Sequence, residues 1–319
     1  MTWKKRSTGP ARGWRLQASL LATALAVVGG VTPAHGKDRS GGPPSRGIGL
    51  SLSATPFYQF KSDLDGGGNL SVSRIFLDAG SRKKINERLS LGLSLSYDFE
   101  DYDFSGSTDL LSSNPWDKIH RPGVGGLVAY ETKNGWKASV GPKIEFTRES
   151  GASWRDSLTY GAVLSASRQL HPMLELGIGV GAFKRVEKDS LFPFLKVNWQ
   201  ITERVRLANP LRAGPAGPAG LALSYTPNQQ WEFALGSAFR RFRFRLDDSG
   251  PAPDGVGEAR LLPVFIRATR KFGPRFRLDA YAGAAFRGQV KLEDEDGNQL
   301  RADNLGTAPL LGLTVSGRF

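Results

Sequence analysis

Residues 89–100, LSLGLSLSYDFE, carry an apolar or aromatic side chain at every odd position and a small or acidic one at every even position. Strict alternation of this kind is typical of a β-strand with one apolar and one polar face. Strands of soluble sandwiches are usually about 5–6 residues long. A tilted strand needs about 9–11 residues to cross a bilayer, so this stretch predicts a membrane-spanning strand.

The same alternation recurs along the chain. It is clearest in three further windows: 136–146 (WKASVGPKIEF), 174–183 (LELGIGVGAF) and 276–287 (FRLDAYAGAAFR). Polar tight turns begin near residues 86, 134, 171, 202, 228 and 273. Longer polar segments separate them, at 101–116, 148–156, 186–190, 211–219, 247–258 and 292–305. Short turns at one end and long loops at the other are typical of outer-membrane barrels. Trp136, Trp199 and Trp231 lie beside short turns, where interfacial aromatic residues are expected.

These observations predict an all-β fold, a transmembrane up-and-down antiparallel β-barrel over residues 48–319. Fourteen strands are expected at 48–60, 69–80, 88–100, 119–131, 136–147, 157–168, 173–185, 191–200, 203–209, 220–227, 231–246, 260–271, 275–291 and 307–319. The segment 203–209 is the weakest of these, and twelve strands are the alternative. Within 231–246 the apolar face changes at Arg240 and Arg241, which predicts a β-bulge near the outer rim.

The first 36 residues predict export. They contain five basic residues and no acidic one, then the apolar run ASLLATALAVVGGV at 18–31 and a small-residue site before residue 37. This is the pattern of a cleaved signal peptide, and the run is too short for a spanning helix, which needs about 20 residues. Residues 37–47 are expected to form a flexible lead-in. The predicted location is therefore the outer membrane of a Gram-negative bacterium. Although the net charge is +13, export argues against nucleic acid as a partner.

The last residues, LLGLTVSGRF, resemble the C-terminal signal that directs bacterial outer-membrane proteins to barrel insertion. Its apolar face consists of Leu311, Leu313, Val315 and the terminal Phe319. Gly317 departs from the usual pattern. The barrel-assembly machinery is accordingly an expected partner of the C-terminal strand.

Several segments together resemble an uncharacterised family of bacterial outer-membrane β-barrel proteins, carried as a domain of unknown function. The segments are SLSATPFYQFKSDLDGGGNLSVSR, LSLSYDFEDYDFSGS, PWDKIHR, SLFPFLKVNWQITERVRLANPL and FRFRLDDSGPAP. The resemblance covers most of the chain after residue 36. It implies the fold and the location, and it supplies no activity and no catalytic residues.

Charged residues on the expected strands mark a candidate lumen. The pore-lining candidates are Lys137, Lys143, Glu145, Glu175, Arg241, Arg243, Arg245, Arg277, Asp279 and Arg287. Residues 98–109, 247–258 and 293–303 are interpreted as acidic outer loops. Such loops would attract cations outside, while a net basic lumen would favour anions within. The cluster at 240–245 predicts either contact with lipopolysaccharide phosphates, or lining of the lumen or pairing with Asp247 and Asp248.

We therefore expect a porin-like channel for small polar or anionic solutes, or a structural outer-membrane protein whose lumen charges pair with one another. The alternative is a lipid-modifying hydrolase, with His120 as base and Ser112 or Ser113 nearby. No GxSxG or HExxH motif is present, and zero cysteines exclude a cysteine nucleophile. The acidic run at 294–297 does not fit an EF-hand loop, so no metal or cofactor is predicted. Outer-membrane lipid is an expected partner, and the oligomeric state stays open.

Overall fold

The structure is a computed structural model that describes residues 48–106, 114–209 and 220–319. The expected signal peptide and lead-in lie outside these residues. Fourteen strands form the wall. They are β1 (Ile48–Asp63), β2 (Asn69–Lys84), β3 (Leu89–Ser105), β4 (Lys118–Glu131), β5 (Trp136–Phe146), β6 (Leu158–His171), β7 (Leu174–Arg185), β8 (Lys188–Gln200), β9 (Val205–Ala208), β10 (Leu221–Tyr225), β11 (Trp231–Ser237 and Arg240–Arg245), β12 (Val256–Phe272), β13 (Phe276–Glu293) and β14 (Gln299–Leu305 and Ala308–Arg318).

The sheet closes on itself. Each strand pairs antiparallel with the next, and β14 returns to β1, where Ser51 lies opposite Arg318 and Gln59 opposite Leu310. The weak segment is a wall strand, because β9 pairs with β8 on one side and β10 on the other. The fourteen-strand prediction is therefore confirmed, and the alternative of twelve is wrong. Among the described residues, no helix has the length and apolarity to cross a membrane.

The outer surface of the wall is apolar. Leu93, Ile178 and Leu191 each leave 68–75% of their surface exposed. Exposed aromatic residues mark the end of the barrel that carries the short turns, and they include Tyr130, Trp136, Trp199, Tyr225, Phe272 and Phe319. A second set, toward the end with the longer loops, comprises Tyr97, Trp154, Tyr160, Phe239 and Phe286. Two aromatic belts around an apolar band are the surface of a transmembrane barrel. We call these ends inner and outer, respectively.

Small residues on the lumen face let aromatic rings lie flat against the wall. A Cβ atom added at Gly179 of β7 would overlap the ring of Phe194 on β8, and one at Gly181 would overlap Phe192. The ring of Phe192 stacks in turn on Phe183 at 6.2 Å. The alternating glycines of residues 174–183 thus make room for aromatic side chains of the neighbouring strand.

One hairpin bends inward over the lumen: its β12 side stays paired with β13, where Val256 lies opposite Glu293, whereas its β11 side extends past the last pair with β10, between Leu221 and Ser237. It comprises residues 240–261, the outer ends of β11 and β12 with their connection, and is called the crossing hairpin below. Its residues are buried on both faces, Phe242 and Phe244 on one and Arg243 and Arg245 on the other. Arg245 forms a parallel bridge with Arg148, beyond the end of β5, and its backbone N–H donates to the Thr147 carbonyl at 2.9 Å. In a ring of fourteen strands, β5 lies across the barrel from β11.

The bulge expected at Arg240 and Arg241 is wrong. Ser237 lies opposite Val264 and Arg240 opposite Leu261, so two residues separate the pairs on each strand and the register is unchanged. The apolar face switches in the sequence because β11 bends away from β10 here, which buries the face that faces lipid earlier in the strand. A register irregularity occurs instead between β12 and β13, next to Arg287.

The acidic loops are shorter than expected, because the strands continue beyond the apolar band. Asp98 and Glu100 belong to β3, Glu258 to β12 and Glu293 to β13, and all four carboxylates pair with arginines. The expected long loop at 186–190 is a two-residue turn between β7 and β8, and 292–305 is mostly strand. These four carboxylates therefore neutralise part of the positive charge of the arginines in the outer half of the lumen.

Candidate functional site

The outer half of the lumen is filled by an apolar cluster on one face of the crossing hairpin. Phe244 contacts Trp116 and Tyr102, with ring centroids 5.4 and 6.0 Å apart. Trp116 also packs edge-on against Phe104 at 5.2 Å. The cluster continues through buried Leu70, Val72, Ile119, Leu246, Ala252, Ala259, Val290 and Leu292. Aromatic and aliphatic packing from the hairpin to the β2–β4 wall closes this half to water.

A buried ion cluster lies beneath this packing. Glu100 is fully buried and accepts from Arg74 at 3.2 Å and Arg121 at 2.9 Å. The Tyr102 hydroxyl donates to the same carboxylate at 2.7 Å. The Arg121 guanidinium also lies 5.0 Å from the ring centroid of Phe242 on the crossing hairpin. The crossing hairpin thus contacts the guanidinium of Arg121 through Phe242, and the charge of that arginine is compensated by Glu100 of the β2–β4 wall.

The other face of the crossing hairpin carries the predicted arginines. Arg241 and Arg243 contact Glu258 at 2.6 and 3.2 Å, and Arg243 also contacts Glu293 at 2.6 Å. Arg245 pairs with Glu187 in the turn between β7 and β8. None of the three pairs with Asp247 or Asp248 among the described contacts, so that pairing prediction is wrong. Arg241 instead pairs within the hairpin, whereas Arg243 and Arg245 join the hairpin to β13 and to the β7–β8 turn.

Glu149 fastens the tip of the crossing hairpin outside the apolar band. Its two carboxylate oxygens accept from the backbone N–H groups of Asp117 at 2.9 Å and Asp247 at 3.2 Å. Burial raises the pKa of this carboxyl group to about 7. Glu149 therefore joins the connection before β4 to the connection of the crossing hairpin. Its carboxyl group changes protonation state near neutral pH.

The inner half of the lumen contains a polar cavity, called the inner vestibule, with a volume of about 590 Å³. Its charged lining residues are Arg82, Lys84, Glu87, Arg88, Glu131, Lys137 and Lys196. Lys137 and Lys196 share the carboxylate of Glu175 at 2.8 and 3.5 Å, and Ser167 donates to it at 2.7 Å. Basic residues outnumber acidic ones around this space, so its electrostatic potential favours anions.

The remaining pore-lining candidates form two ion pairs, apart from Arg287. Lys143 pairs with Glu145, and Arg277 contacts Asp279 at 2.8 Å. Arg287 is exposed beside the register irregularity, with a φ of 49°, and takes part in none of the ion pairs described above. The other nine candidates all form ion pairs. Their role in lining a pathway stays a prediction.

Sequence reasoning missed several central residues, including Arg74, Glu100, Arg121, Glu258 and Glu293. The signal for Glu100 was available, because it continues the even-numbered face of residues 89–100 that points into the lumen. Arg74 lies opposite Glu100 on β2, and Arg121 lies opposite Asp98 on β4. That register is visible only in the structure.

His120 lies on the other side of the wall, facing outward. Its Nδ1 atom is 2.7 Å from the Tyr97 hydroxyl, and its Nε2 atom is 2.9 Å from the Oγ atom of Ser150. Ser112 and Ser113, the serines considered from the sequence, lie outside the described residues. Ser150 was missed because it is 30 residues away along the chain and reaches His120 through the pairing of His120 with Arg148.

Comparisons with solved structures return several proteins at about 10% identity. An outer-membrane channel from Pseudomonas putida F1 matches at 10% identity and a TM-score of 0.48, covering 89% of this chain and 100% of that one. The Pseudomonas putida toluene transporter TodX matches at 10% identity and a TM-score of 0.43, covering 86% and 90%. LpxR from Salmonella typhimurium matches at 10% identity and 0.33, covering 83% and 99%.

Comparisons of the sequence with protein families and with curated proteins do not assign the chain to a family. The model of an AraC-binding-like domain matches residues 166–316, which is less than half of the chain. In the structure that stretch runs from the middle of β6 to β14 of the closed barrel. A search among curated proteins finds no match. The outer-membrane barrel architecture of the resemblance is thus met, while membership of the uncharacterised family stays a prediction.

Proposed function

We propose that the protein is an outer-membrane barrel of a Gram-negative bacterium that passes small polar or anionic solutes, and that the crossing hairpin closes its outer mouth. Export would depend on the signal peptide at 1–36. Lipid and lipopolysaccharide would surround the apolar band, and the barrel-assembly machinery would engage the C-terminal strand with Leu311, Leu313, Val315 and Phe319. The length of the wall strands and the two aromatic belts support this location.

The inward bend of the crossing hairpin, which brings Arg245 of β11 to Arg148 beyond the end of β5, is the observation that carries the proposal. A purely structural barrel needs only a closed wall and a packed interior. Here the outer half is packed by a segment that could in principle lie in the wall, while the inner half retains a polar space of about 590 Å³. An occluding segment above a hydrated cavity is the arrangement of a closed channel.

The lining charges support the preference for anions. Five basic residues and two acidic residues surround the inner vestibule. Glu175 neutralises only part of this excess, since two lysines share it. A narrow space with a positive potential raises the local concentration of anions and lowers that of cations.

Deleting residues 240–261 tests the proposal. The deletion joins Ser237 and Val264, which already lie opposite each other, through four remaining residues. We expect the refolded chain without residues 1–36 to show small or rare conductance steps in a planar bilayer. The deleted variant should give frequent steps of several-fold higher conductance, with a reversal potential on the anion side. Heat-dependent mobility on gels controls for folding of both proteins. A folded deletion variant with no steps would identify a structural barrel instead.

A further inference from the structure

A serine, a histidine and a tyrosine form one hydrogen-bonded chain on the outer surface of the wall. Ser150 Oγ is 2.9 Å from Nε2 of His120, and Nδ1 of His120 is 2.7 Å from the Tyr97 hydroxyl. The His120 ring also lies 5.3 Å from Phe99, which restricts its orientation. A nucleophile within hydrogen-bond reach of a base that is itself oriented by a third group is the arrangement used for acyl transfer.

The chain lies where the apolar band ends. His120 shares the outward face of β4 with Tyr130 of the inner aromatic belt, ten residues further along the strand. That separation corresponds to one crossing of the bilayer by a tilted strand. Ser150 is exposed, and the indole of Trp154 leaves 51% of its surface free nearby. The site therefore meets both lipid and water, at the interface of the outer leaflet.

Arg148 supplies a positive charge beside the serine. It pairs directly with His120 across the strands, and its guanidinium lies 4.1 Å from the centroid of the Trp154 ring. One of its terminal nitrogens donates to the carbonyl of Ala152, whereas its buried Nε–H has no partner among the described residues. The Arg148 guanidinium therefore places a positive charge on the same side of the wall as His120, where it would attract an anionic lipid.

We propose that Ser150 and His120 cleave acyl esters of anionic lipids in the outer leaflet. Ser150 Oγ attacks the ester carbonyl carbon, and its proton passes to Nε2 of His120. The positive charge of Arg148 favours the negative charge that develops on the carbonyl oxygen. When the carbon–oxygen bond to the alcohol breaks, His120 returns the proton to the leaving alcohol. Water then attacks the acyl-serine with His120 as base, releasing the fatty acid and restoring Ser150.

Tyr97 acts as a positioning residue in this scheme. Nε2 can accept the serine proton only if Nδ1 carries the other ring hydrogen, and the Tyr97 oxygen then accepts from Nδ1. The site lies on the opposite side of the wall from the inner vestibule. Loss of conductance and loss of hydrolysis are therefore separate outcomes, and neither proposal depends on the other.

The test combines covalent labelling with hydrolysis by the refolded barrel. A fluorophosphonate probe should label Ser150, as located by mass spectrometry, and mixed micelles of an anionic phospholipid should release fatty acid. Ser150→Ala should abolish both signals, and His120→Ala should lower hydrolysis by about 100-fold or more. Ser249→Ala is the matched control, because Ser249 is an exposed serine in an outer connection, paired with Asp247 rather than with a base.

Two further arms define the substrate and the role of Tyr97. A short-chain ester dissolved below its micellar concentration should be cleaved far more slowly than the same ester class in micelles. Tyr97→Phe should lower kcat with little effect on KM and displace the pH profile of kcat.

Two results would overturn the proposal: absence of labelling in the folded wild-type protein, or labelling that survives Ser150→Ala. Equal rates on dissolved and micellar esters would overturn the lipid assignment.

Discussion

The outer and inner halves of the lumen contain different kinds of side chain, although one closed sheet surrounds both. The outer half holds aromatic packing and ion pairs with almost no exposed surface, whereas the inner half holds lysines and arginines around a cavity. Most wall strands run through both halves, although β9 and β10 have only four and five residues in the described part of the chain. The difference arises from the crossing hairpin, which brings a second layer of side chains into the outer half only. Closure is therefore a property of one segment and not of the barrel.

The largest expected effect lies in the outer half, at Glu100. Glu100→Ala leaves Arg74 and Arg121 buried without their shared carboxylate, and breaking a buried ion group in this way costs about 3–5 kcal/mol. Urea unfolding followed by tryptophan fluorescence measures the change. Glu87→Ala in the exposed inner turn is the control and should alter stability by less than about 0.5 kcal/mol. Equal effects of the two changes would show that the outer ion cluster carries no particular stability.

A smaller effect is expected in the wall itself, at Gly179. Gly179→Val places a branched side chain where the ring of Phe194 lies, and overpacking of this kind costs about 1–3 kcal/mol. The double variant with Phe194→Ala should recover part of the loss, because the ring is then absent. The same unfolding experiment measures both. Failure of the second change to restore any stability would argue against this ring–glycine contact.

The pH dependence of closure depends on Glu149. Because burial raises the pKa of this carboxyl group to about 7, the folded state binds the proton more tightly than the unfolded chain does. The resulting stability is complete below the ordinary pKa of a glutamate and is lost as the pH rises through about 7. We expect the frequency of conductance steps to rise across this range.

Glu149→Gln separates this effect from other titrations. The amide keeps an acceptor for a backbone N–H group and cannot ionise, so the variant should show a flat profile between pH 5 and pH 8. Glu203→Gln in an exposed inner turn is the control and should behave as the wild type. An unchanged pH profile in Glu149→Gln would assign the titration to another group.

The smallest effect concerns ion preference in the inner half. Arg82→Gln with Arg88→Gln removes two positive charges from the vestibule, which should shift the reversal potential of the hairpin-deleted channel toward cations by several millivolts. Arg204→Gln with Arg275→Gln removes the same charge from exposed inner turns outside the vestibule lining. If the two double variants shift the potential equally, the vestibule does not set the preference.

The wall was predictable from the sequence because alternation, turn spacing and strand length all depend on the same geometry. The crossing hairpin was not. Phe242, Phe244 and Arg243 alternate inside the lumen as they would in the wall, since a strand buried on both faces can carry charges if they are paired. The switch of apolar face near Arg240 was the only local sign, and it was interpreted as a bulge.

The sequence predicts which charged residues point into the lumen, but it does not predict which residues they pair with. Arg241, Arg243 and Arg245 were identified as interior, but their carboxylates come from Glu187, Glu258 and Glu293 in parts of the chain interpreted as loops. His120 is predicted for its chemistry, and Ser150, its partner in the structure, is not; Ser112 and Ser113 lie outside the described residues and stay a prediction. In both cases the partners come from strand registers that no local pattern specifies.

The position of the crossing hairpin is tested most directly by a distance measurement in the folded barrel. The chain has no cysteine, so Arg155→Cys and Asp248→Cys allow two spin labels at exposed positions, one beyond β5 and one on the hairpin. Pulsed electron paramagnetic resonance in lipid should give a single distance well below the width of the barrel. A distance equal to the full width would place β11 and β12 in the wall and contradict the closure of the outer half.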